Sequence, residues 1–440
     1  MFDDLIVIIL AAGDSTRLWP IEDKLFLEFC GVSLIQRSIN QLKKIGIKKF
    51  VIIANKNNIQ NCEKLKNYNT ELDLIINIQN NNKGIAGAIL SAQKEISNHK
   101  ILVVSPSDVF EDYLLADFID IYKENPQAIF VGKLLSGYQP LGYYSEESNI
   151  VKGIIEKPSL GSLPSQIAAI VFDYYSEGKK LIEAIKKVSS AKDDLYEKAK
   201  VQLVTEGLVI KLLSYNGYWG YLKYPWHVLS IAAFFLSLIK ADINKGKIDP
   251  SVKIKGPVFI GENVTILENV KIVGPVYIGN GSLIGQNSLI RESIIGNSTV
   301  VGFSSEITRS YSGANCWFHH NYIGDSVILN NSAFGFGAVV ANYRLDQTSI
   351  KSFVQGKKID TLRTKLGVIT GKNSRIGINA SLMPGIKIGT NSFVGSGVIV
   401  SEDIGDNKFI EYEKKNTRIV DNRVKESVGN FEKNRSSLKY

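Results

Sequence analysis

A six-residue period in the second half of the chain restricts its fold more than any other feature. Isoleucine occupies positions 254, 260, 266, 272, 278, 284 and 290, an unbroken spacing of six residues. After one shorter step from 290 to Ile295, the spacing of six resumes through Val301 and Ile307, and it returns from Ile376 to Val400. A helix repeats about every 3.6 residues and a strand about every 2. The period therefore predicts a parallel β-helix in which each hexad supplies one short strand and one turn.

The first half of the chain follows a different rule, because short apolar runs alternate with helical patterns. Leu5–Leu10 reads as a buried strand, and Lys49–Ala54 and Ile101–Val104 read as two more. Ser33 is a candidate cap for a helix that ends at Gly46. This order predicts an α/β domain with a Rossmann-like parallel sheet covered on both faces. Such sheets bind ligands beyond the carboxyl ends of their strands.

Length and composition limit the possible classes of protein. The 440 residues suit more than one domain, with 44% hydrophobic and 22% charged residues, as in ordinary globular proteins. We expect domains at 1–240 and 250–405, a polar linker at Lys240–Lys255, and a charged C-terminal tail at 406–440. The net charge of +9 is spread along the chain, which favours phosphorylated small molecules over nucleic acid as partners.

Cysteine content and hydropathy indicate the compartment. The three cysteines form no CxxC pattern, which excludes a disulfide scaffold and a cysteine zinc site and suits a reducing cytoplasm. The longest apolar run, Val228–Ile239, is too short to span a bilayer. We therefore expect a cytoplasmic protein with no membrane partner.

The segment after the first strand suits phosphate binding. Its small residues, Ala11 and Gly13, allow backbone amides to approach phosphates, and Arg17 adds a forked cation. With KLFLEF at 24–29, the sequence AAGDSTRLWP at 11–20 resembles the sugar-1-phosphate nucleotidyltransferases, especially their mannose-1-phosphate guanylyltransferase branch. That resemblance implies attack of a sugar 1-phosphate on a nucleoside triphosphate, with release of pyrophosphate. Arg17 and Lys24 would neutralise phosphate charge.

Further motifs of this family follow in order. Gln79 and the segment beginning at Gly84 resemble the part of the family pattern beside the nucleobase. Asp108, after the strand ILVV, resembles the metal-binding aspartate and implies Mg²⁺. The sugar-binding segment of the family is matched by Gly142, Glu156 and Lys157, with Lys157 on the sugar phosphate.

The chain departs from the family pattern at several positions. WGYLKYPW at 219–226 places Tyr221 where a second metal-binding aspartate is expected, and Lys223 where glycine is expected. A phenol is a poor Mg²⁺ ligand at neutral pH. Ser15 replaces a glycine, Asp23 precedes Lys24, and Ile85 replaces a hydroxyl-bearing residue.

The β-helix contains a second candidate site. HHNYIGDS at 319–326 resembles a segment of the bifunctional N-acetylglucosamine-1-phosphate uridyltransferases and their archaeal relatives. By this resemblance His319 would deprotonate a sugar amine that attacks acetyl-CoA, while Tyr322 and Asn342 orient the sugar. Lys351 resembles a lysine of the archaeal form, whereas Ala333 and Thr348 depart from the bacterial pattern. The resemblance implies a homotrimer with the acyl-CoA site between protomers.

Three functions remain open at this stage. The first is an enzyme of nucleotide-sugar biosynthesis with a nucleotidyltransferase domain and an acetyltransferase-like left-handed β-helix. The second is a diverged regulatory or binding subunit without turnover, which Ser15, Asp23 and Tyr221 favour. The third is an acetyltransferase whose N-terminal domain is inactive. His319 and His320 could also be ordinary residues at a corner of a coil.

Overall fold

The computed structural model describes residues 1–80, 84–240, 242–413 and 416–422. The chain forms two units. The first comprises Met1–Ser15, Asp23–Leu27 and Val32–Leu222; the second comprises Thr16–Glu22, Glu28–Gly31 and the residues from Lys223 onwards.

The strands of the N-terminal half are short and regular. They are β1 (Leu5–Leu10), β2 (Glu28–Phe29), β3 (Val32–Ser33), β4 (Lys49–Ala54), β5 (Asp73–Ile78), β6 (Lys100–Val104), β7 (Asp108–Phe110), β8 (Ala128–Leu134), β9 (Gly142–Glu147), β10 (Ile150–Glu156), β11 (Ile167–Tyr175), β12 (Ile210–Ser214) and β13 (Trp219–Tyr221). The helices are α1 (Leu34–Lys44), α2 (Ile59–Tyr68), α3 (Gly84–Ser91), α4 (Gln93–Ile96), α5 (Tyr113–Lys123), α6 (Gly178–Lys187), α7 (Leu195–Thr205) and α8 (His227–Ser237).

The sheet of the first unit has the order β5-β4-β1-β6-β11-β8-β12-β10-β9. The predicted parallel pairing is present, since β1 runs parallel to β4 and β6. Alternate residues of β1 belong to opposite apolar clusters: Val7 packs with Ile39 on one side, and Ile8 with Ile89 on the other. The sheet is therefore covered on both faces, as an α/β fold requires.

Two details of this unit test the sequence reading. The Ser33 hydroxyl caps α1 by accepting a hydrogen bond from the backbone N–H of Gln36, and Gly46 follows the helix at a φ of +93°. In contrast to the expected parallel sheet, β11 runs antiparallel to β6 and β8. Only a short 3₁₀ turn, and no α-helix, lies between the β9–β10 hairpin and β11, so the chain has no helical crossover that would make β11 parallel.

The second unit contains a left-handed parallel β-helix with three sheets of stacked short strands. The first sheet stacks β14 (Ile243–Asn244), β17 (Val258–Ile260), β20 (Val276–Ile278), β23 (Ile294–Ile295), β26 (Tyr311–Ser312), β29 (Val327–Ile328), β34 (Ile369–Thr370) and β37 (Lys387–Ile388). The second stacks β15 (Lys247–Ile248), β18 (Thr265–Ile266), β21 (Leu283–Ile284), β24 (Val300–Val301), β27 (Trp317–Phe318), β30 (Ala333–Phe334), β35 (Arg375–Ile376), β38 (Phe393–Val394), β40 (Lys408–Glu413) and β41 (Asn416–Asp421). The third stacks β16 (Lys253–Lys255), β19 (Lys271–Val273), β22 (Leu289–Arg291), β25 (Glu306–Thr308), β28 (Tyr322–Gly324), β31 (Val339–Val340), β36 (Ser381–Leu382) and β39 (Ile399–Val400).

The periodic aliphatic residues fill the interior of the β-helix. Ile260, Ile272 and Ile290 are fully buried in one continuous apolar cluster. Ile254, the first residue of the run, is an exception with 38% exposure. Asparagines such as Asn269 and Asn287 adopt positive φ at the corners, a conformation that asparagine tolerates better than most residues.

The β-helix is longer than the period predicts. The segment expected to be a linker instead forms β14, β15 and β16, which pair with the next coil. The coils also continue between Ile307 and Ile376, where the sequence period is lost, because Phe318 and Phe334 take the buried positions and several steps contain five residues. A hairpin of β32 (Lys351–Val354) and β33 (Lys357–Asp360) then interrupts the stack.

The expected tail begins with regular structure. Strand β40 pairs in parallel with β38, and β41 returns antiparallel to β40. Residues 423–440 of the expected tail lie outside the described residues. Within the described ranges, no helix is both long and apolar enough to cross a membrane.

Candidate functional site

The segments that follow β1, β5 and β6 all emerge at one edge of the sheet, because these strands run in the same direction. After β1, Ala11 is held by two hydrogen bonds: its N–H donates to the Ile53 carbonyl at 2.9 Å, and its carbonyl accepts from Asn58 Nδ2 at 2.8 Å. Open space surrounds the position where a Cβ on Gly13 would lie. The chain order changes direction between β1 and β6, where α/β sheets bind ligands.

Gln79 and Gly84 lie together beside α3. Gln79 Nε2 donates a hydrogen bond to the Gly84 carbonyl at 3.0 Å. This bond connects the two ends of the stretch that contains residues 81–83, which lie outside the described ranges. Gly84 has a φ of +54°, and a Cβ there would lie 2.0 Å from Asp193 Oδ1. Glycine is required here both for the backbone conformation and for the approach of this carboxylate.

Asp108 begins β7, four residues after the end of β6. Trp219 Nε1 donates a hydrogen bond to Asp108 Oδ1 at 3.0 Å. Burial raises the pKa of Asp108 to about 6, although the bonds from Trp219 and the Val171 backbone and the charge of Lys24 oppose the rise. The structure thus brings two of the predicted residues, Lys24 and Asp108, within electrostatic range of each other.

Tyr221 lies directly opposite Asp108 in the antiparallel pair of β7 and β13. Cβ atoms at such positions are about 4.5–5.5 Å apart. The Tyr221 hydroxyl donates to Gln139 Oε1 at 3.0 Å, and the Gln139 N–H donates in turn to the Tyr143 hydroxyl at 2.8 Å. A phenol held by a neighbouring amide therefore occupies the place from which a second carboxylate would face Asp108.

The donor set at Asp108 can be tested against Mg²⁺. Among the described residues, no group of three or more His, Cys, Asp or Glu side chains is arranged to hold a metal ion. In nucleotide sites, however, Mg²⁺ is usually bound by one or two carboxylates together with substrate phosphates and water. Asp108 alone fits that kind of site, in which phosphate oxygens complete the coordination.

The predicted sugar-binding residues meet at the β9–β10 hairpin. Gly142 lies opposite Glu156, and a Cβ on Gly142 would be 3.1 Å from Glu156 Oε2. Lys157 Nζ forms an ion pair with Glu156 Oε1 at 2.5 Å, and the Lys157 backbone adopts a φ of +47°. Gly142 thus leaves room for the Glu156 carboxylate, while Lys157 remains about half exposed.

A buried charge cluster near this hairpin was not predicted. Lys200 Nζ pairs with Asp173 Oδ2 at 2.6 Å, with exposures of 3% and 0%. The Lys200 ammonium lies 4.5 Å from the ring centroids of Phe130 and Tyr196. Burial raises the pKa of nearby Glu197 to about 7, against the effect of the Lys200 charge. In the sequence, Lys200 looks like one of many surface lysines of a helix, so no local pattern identifies it.

Arg17 is exposed and lies in a 3₁₀ turn (Thr16–Leu18) that belongs to the second unit. In the same segment, Trp19 Nε1 donates to Asp406 Oδ1 at 3.0 Å. Glu22 forms an ion pair with Lys372 at 3.6 Å. The segment that carries the predicted phosphate-binding arginine is therefore attached to the coils of the β-helix by a hydrogen bond and an ion pair.

The two adjacent histidines follow β27 and differ in their surroundings. His319 stacks on Trp317 with ring centroids 5.2 Å apart, and desolvation lowers its pKa. His320, at a φ of +53°, stacks between Phe303 and Phe336 at 6.2 and 4.8 Å. A lowered pKa keeps the His319 imidazole neutral at neutral pH, as a general base requires.

Tyr322 and Asn342, the two candidate sugar-orienting residues, are joined by a hydrogen bond, and Asp325, which was not a candidate, also contacts Asn342. Asn342 Nδ2 donates to the Tyr322 hydroxyl oxygen at 3.2 Å and to Asp325 Oδ2 at 2.5 Å. Asp325 is 3% exposed and accepts two hydrogen bonds from Arg309. Asp325 belongs to the HHNYIGDS motif, so the sequence resemblance could have identified it as a site residue. No sequence motif includes Arg309. Lys351 is exposed at the start of β32, opposite Asp360.

The chain is similar to known proteins along most of its length. The nucleotidyl transferase family matches residues 6–219, and the six-repeat bacterial transferase hexapeptide family matches residues 257–292 and 367–402. A bifunctional sugar-1-phosphate nucleotidylyltransferase/acetyltransferase of Sulfurisphaera tokodaii is 32% identical, over 92% of this chain and 99% of its own length. The chain belongs to this family of bifunctional enzymes. The match extends through both units and therefore includes the coils between the two hexapeptide blocks.

Two further relatives agree with this assignment. The bifunctional protein GlmU of Methanocaldococcus jannaschii is 32% identical over 92% of this chain and 96% of its own length. GlmU of Clostridium kluyveri is 24% identical over 90% of this chain and 93% of its own length. The arrangement of a nucleotidyltransferase domain before a hexapeptide β-helix, as the sequence resemblance implied, is thus that of the family.

Proposed function

We propose that this protein takes part in nucleotide-sugar biosynthesis, transferring a nucleotidyl group from a nucleoside triphosphate to a sugar 1-phosphate with release of pyrophosphate. The observation that most supports this reaction is the position of Asp108. Its carboxylate lies beyond the carboxyl end of β6, beside the switch point of the sheet and within range of Lys24. Nucleotidyl transfer needs little covalent help from a protein, and depends mainly on positioning and charge neutralisation.

Each residue has a proposed task in this reaction. The backbone at Ala11 and Gly13 and the Lys24 cation bind the triphosphate, while Gln79 and Gly84 lie beside the base. Arg17, which follows Gly13 in the chain, is proposed as a further phosphate-binding cation. Gly142, Glu156 and Lys157 bind the sugar phosphate, with the Lys157 ammonium on its phosphate group. Mg²⁺, held by Asp108 and phosphate oxygens, would offset the charge that develops on the leaving pyrophosphate.

A second activity, acetyl transfer from acetyl-CoA to an amino-sugar phosphate, is favoured by the arrangement around His319. The His319 imidazole is the proposed base that takes a proton from the attacking amine, because its lowered pKa leaves it neutral. Tyr322 and Asn342 share a hydrogen bond and are the proposed sugar-orienting pair. Lys351 is the proposed contact to the phosphorylated ligands.

The remaining proposals concern the state of the protein. The functional domains are 1–240 and 250–405, followed by the tail at 406–440. Strands β14 and β15 extend the second domain to residues before 250, and β40 and β41 extend it into the tail. The protein acts in the cytoplasm, in keeping with three free cysteines. It assembles as a homotrimer through the β-helix, and neither nucleic acid nor a membrane is a partner.

Two parallel assays test both activities. Pyrophosphate release is measured across a panel of nucleoside triphosphates and sugar 1-phosphates, with Mg²⁺ and with EDTA. Thiol release from acetyl-CoA is measured with amino-sugar phosphates. We expect Asp108→Ala to remove pyrophosphate release and leave thiol release intact. Absence of pyrophosphate release with every pair would leave a binding or regulatory subunit, the reading that Tyr221 favours.

The adjacent histidines provide a matched pair for the second assay. His319→Ala should lower thiol release about 10²–10⁴-fold, the usual contribution of a positioned base. His320→Ala, which removes a ring stacked between two phenylalanines, should leave the turnover number of acetyl transfer within about twofold. Equal losses in both variants would contradict the role of His319.

A further inference from the structure

Asn342 is held in an orientation that its neighbours dictate. A side-chain amide has one donor end and one acceptor end of nearly the same shape, so its hydrogen-bond partners determine which end faces which way. Here a carboxylate settles the matter, because Asp325 Oδ2 lies 2.5 Å from Asn342 Nδ2 and an ionised carboxylate can only accept. The reversed amide would place two oxygens in contact.

Asp325 cannot turn away from Asn342, because Arg309 holds it from the other side. Arg309 Nε donates to Asp325 Oδ1 and Arg309 Nη2 donates to Asp325 Oδ2, both at 2.8 Å. This forked pair is the geometry that arginine and carboxylate form best. A third bond, from Arg309 Nη1 to Thr308 Oγ1 at 3.0 Å, fixes the guanidinium.

The backbone adds to this constraint. The Asp325 N–H donates to the Thr308 carbonyl at 3.0 Å, and the Asp325 carbonyl accepts from Gly367 at 2.8 Å. Gly324 allows the close approach, because a Cβ there would lie 2.6 Å from Asn342 Nδ2 and 2.7 Å from the Tyr322 hydroxyl. The carboxylate, the amide and the phenol therefore form one rigid group.

The orientation leaves two groups free to bind a ligand. The two side-chain amide protons of Asn342 are directed to Asp325 and Tyr322, so the side-chain oxygen Oδ1 remains as an acceptor. No donor from the described part of the chain bonds to Oδ1. The Tyr322 oxygen accepts from Asn342, so its own hydroxyl proton remains available. The site thus offers one acceptor and one donor to the sugar.

We propose that Arg309 and Asp325 are positioning residues that turn the Asn342 carbonyl oxygen towards the amino group of the acceptor sugar. This inference rests on the proposed acetyl transfer. An attacking amine carries more than one N–H: one proton leaves to the base, and another needs an acceptor. A hydroxyl has only the proton that the base removes. The fixed carbonyl therefore selects an amino sugar over the corresponding hydroxyl sugar.

The first test is a double-mutant cycle on the KM for the amino-sugar phosphate. Asp325→Asn releases the constraint on Asn342, and we expect this KM to rise about 10- to 100-fold, with the KM for acetyl-CoA unchanged. Because Asp325 acts through Asn342, adding Asp325→Asn to Asn342→Ala should have no further effect. Independent, multiplicative effects of the two substitutions would overturn the inference.

Two further variants separate positioning from general damage. Arg309→Lys keeps the charge but cannot bond both carboxylate oxygens in a fork, so it should raise the same KM while leaving the unfolding transition near that of the wild type. Asp403→Asn removes the partly buried carboxylate that pairs with the buried Lys387, elsewhere in the β-helix. An equal rise of the KM in Asp403→Asn would mean that losing any ion-paired carboxylate of the β-helix suffices, which would overturn the inference.

A direct structural measurement keeps the inference testable if the proposed function fails. If the wild type releases no thiol with any amino-sugar phosphate, acetyl transfer is excluded. Neutron diffraction then locates the amide deuterons of Asn342 in the wild type and in Asp325→Asn. An amide that turns over in the variant supports the positioning role. An amide that keeps its orientation without the carboxylate overturns it.

Discussion

Replacing Tyr221 with aspartate tests the geometry around Asp108 most directly. The substitution places a second carboxylate opposite Asp108 in the β7–β13 pair. At a separation of about 5 Å and an effective dielectric constant of about 20, two unit charges repel each other by about 3 kcal/mol. We therefore expect Tyr221→Asp to destabilise the first unit when no cation is present.

The protein can avoid part of this repulsion by taking up a proton. The pKa of Asp108 is about 6, so keeping it protonated at about pH 7.5 costs about 2 kcal/mol, which limits the penalty. Loss of the phenol's hydrogen bond to Gln139 adds about 1 kcal/mol. Tyr221→Asn loses the same bond without adding charge and is the matched control.

The assay is denaturant unfolding of both variants in EDTA and in millimolar Mg²⁺. In EDTA at about pH 7.5, Tyr221→Asp should be less stable than Tyr221→Asn by about 2 kcal/mol. The gap should close at about pH 5, where Asp108 is already protonated, and it should also close in Mg²⁺, which binds between the carboxylates. Equal stability in EDTA would refute the side-by-side placement of positions 108 and 221.

Three further predictions follow from buried groups. Asp108→Asn should abolish pyrophosphate release yet stabilise the fold. Because burial raises the pKa of Asp108 from 3.8 to about 6, the stability of the wild type falls as the pH rises through 6. The variant should therefore gain about 2–3 kcal/mol over the wild type in urea unfolding at about pH 8. Lys200→Met should lower the free energy of unfolding by about 3–5 kcal/mol, because it leaves the buried Asp173 carboxylate unpaired. The loss should be smaller in acid, since burial already raises the pKa of Asp173 and a protonated carboxyl group tolerates burial best. A loss that does not vary with pH would count against this. Gly324→Ala should lower thiol release at least about tenfold and leave pyrophosphate release intact, since the new methyl group would displace Asn342; unchanged thiol release would contradict the crowding.

The two proposed reactions differ in how completely their machinery is visible. At His319 the proposed base, its stacked neighbour and an oriented amide are all present in one unit. At Asp108 a single carboxylate faces a phenol, so phosphate groups must supply more of the metal's ligands. Metal binding without nucleotide should therefore be weak, and the metal should enter with the triphosphate.

The β-helix was predictable because its period is local. A residue that points inward every six positions can be recognised without knowing its neighbours, and Ile260 to Ile290 are buried as expected. The prediction failed where Phe318 and Phe334 replace the aliphatic residues and where some steps contain five residues. A coil can accept an aromatic residue or a shorter step when the coils above and below it fix its position. The first coil was missed for a similar reason: its polar residues pair through the backbone.

Motifs likewise identified residue types but not their partners. Asp108, Tyr322 and Asn342 were proposed as site residues from the sequence, and the register of β7 and β13 was needed to place Tyr221 against Asp108. Arg309 looks like any other charged residue until the coils bring it to Asp325, 16 residues away. The same holds for Lys200 and Asp173.

Chemical identity and local spacing are thus encoded along the chain, so the β-helix, the α/β sheet and most candidate groups can be read directly from it. The orientation of an amide, the pairing of a buried charge and the pKa of a carboxylate depend on atoms brought together from distant segments. These properties exist only after folding, because desolvation and hydrogen bonding act over a few ångströms in space.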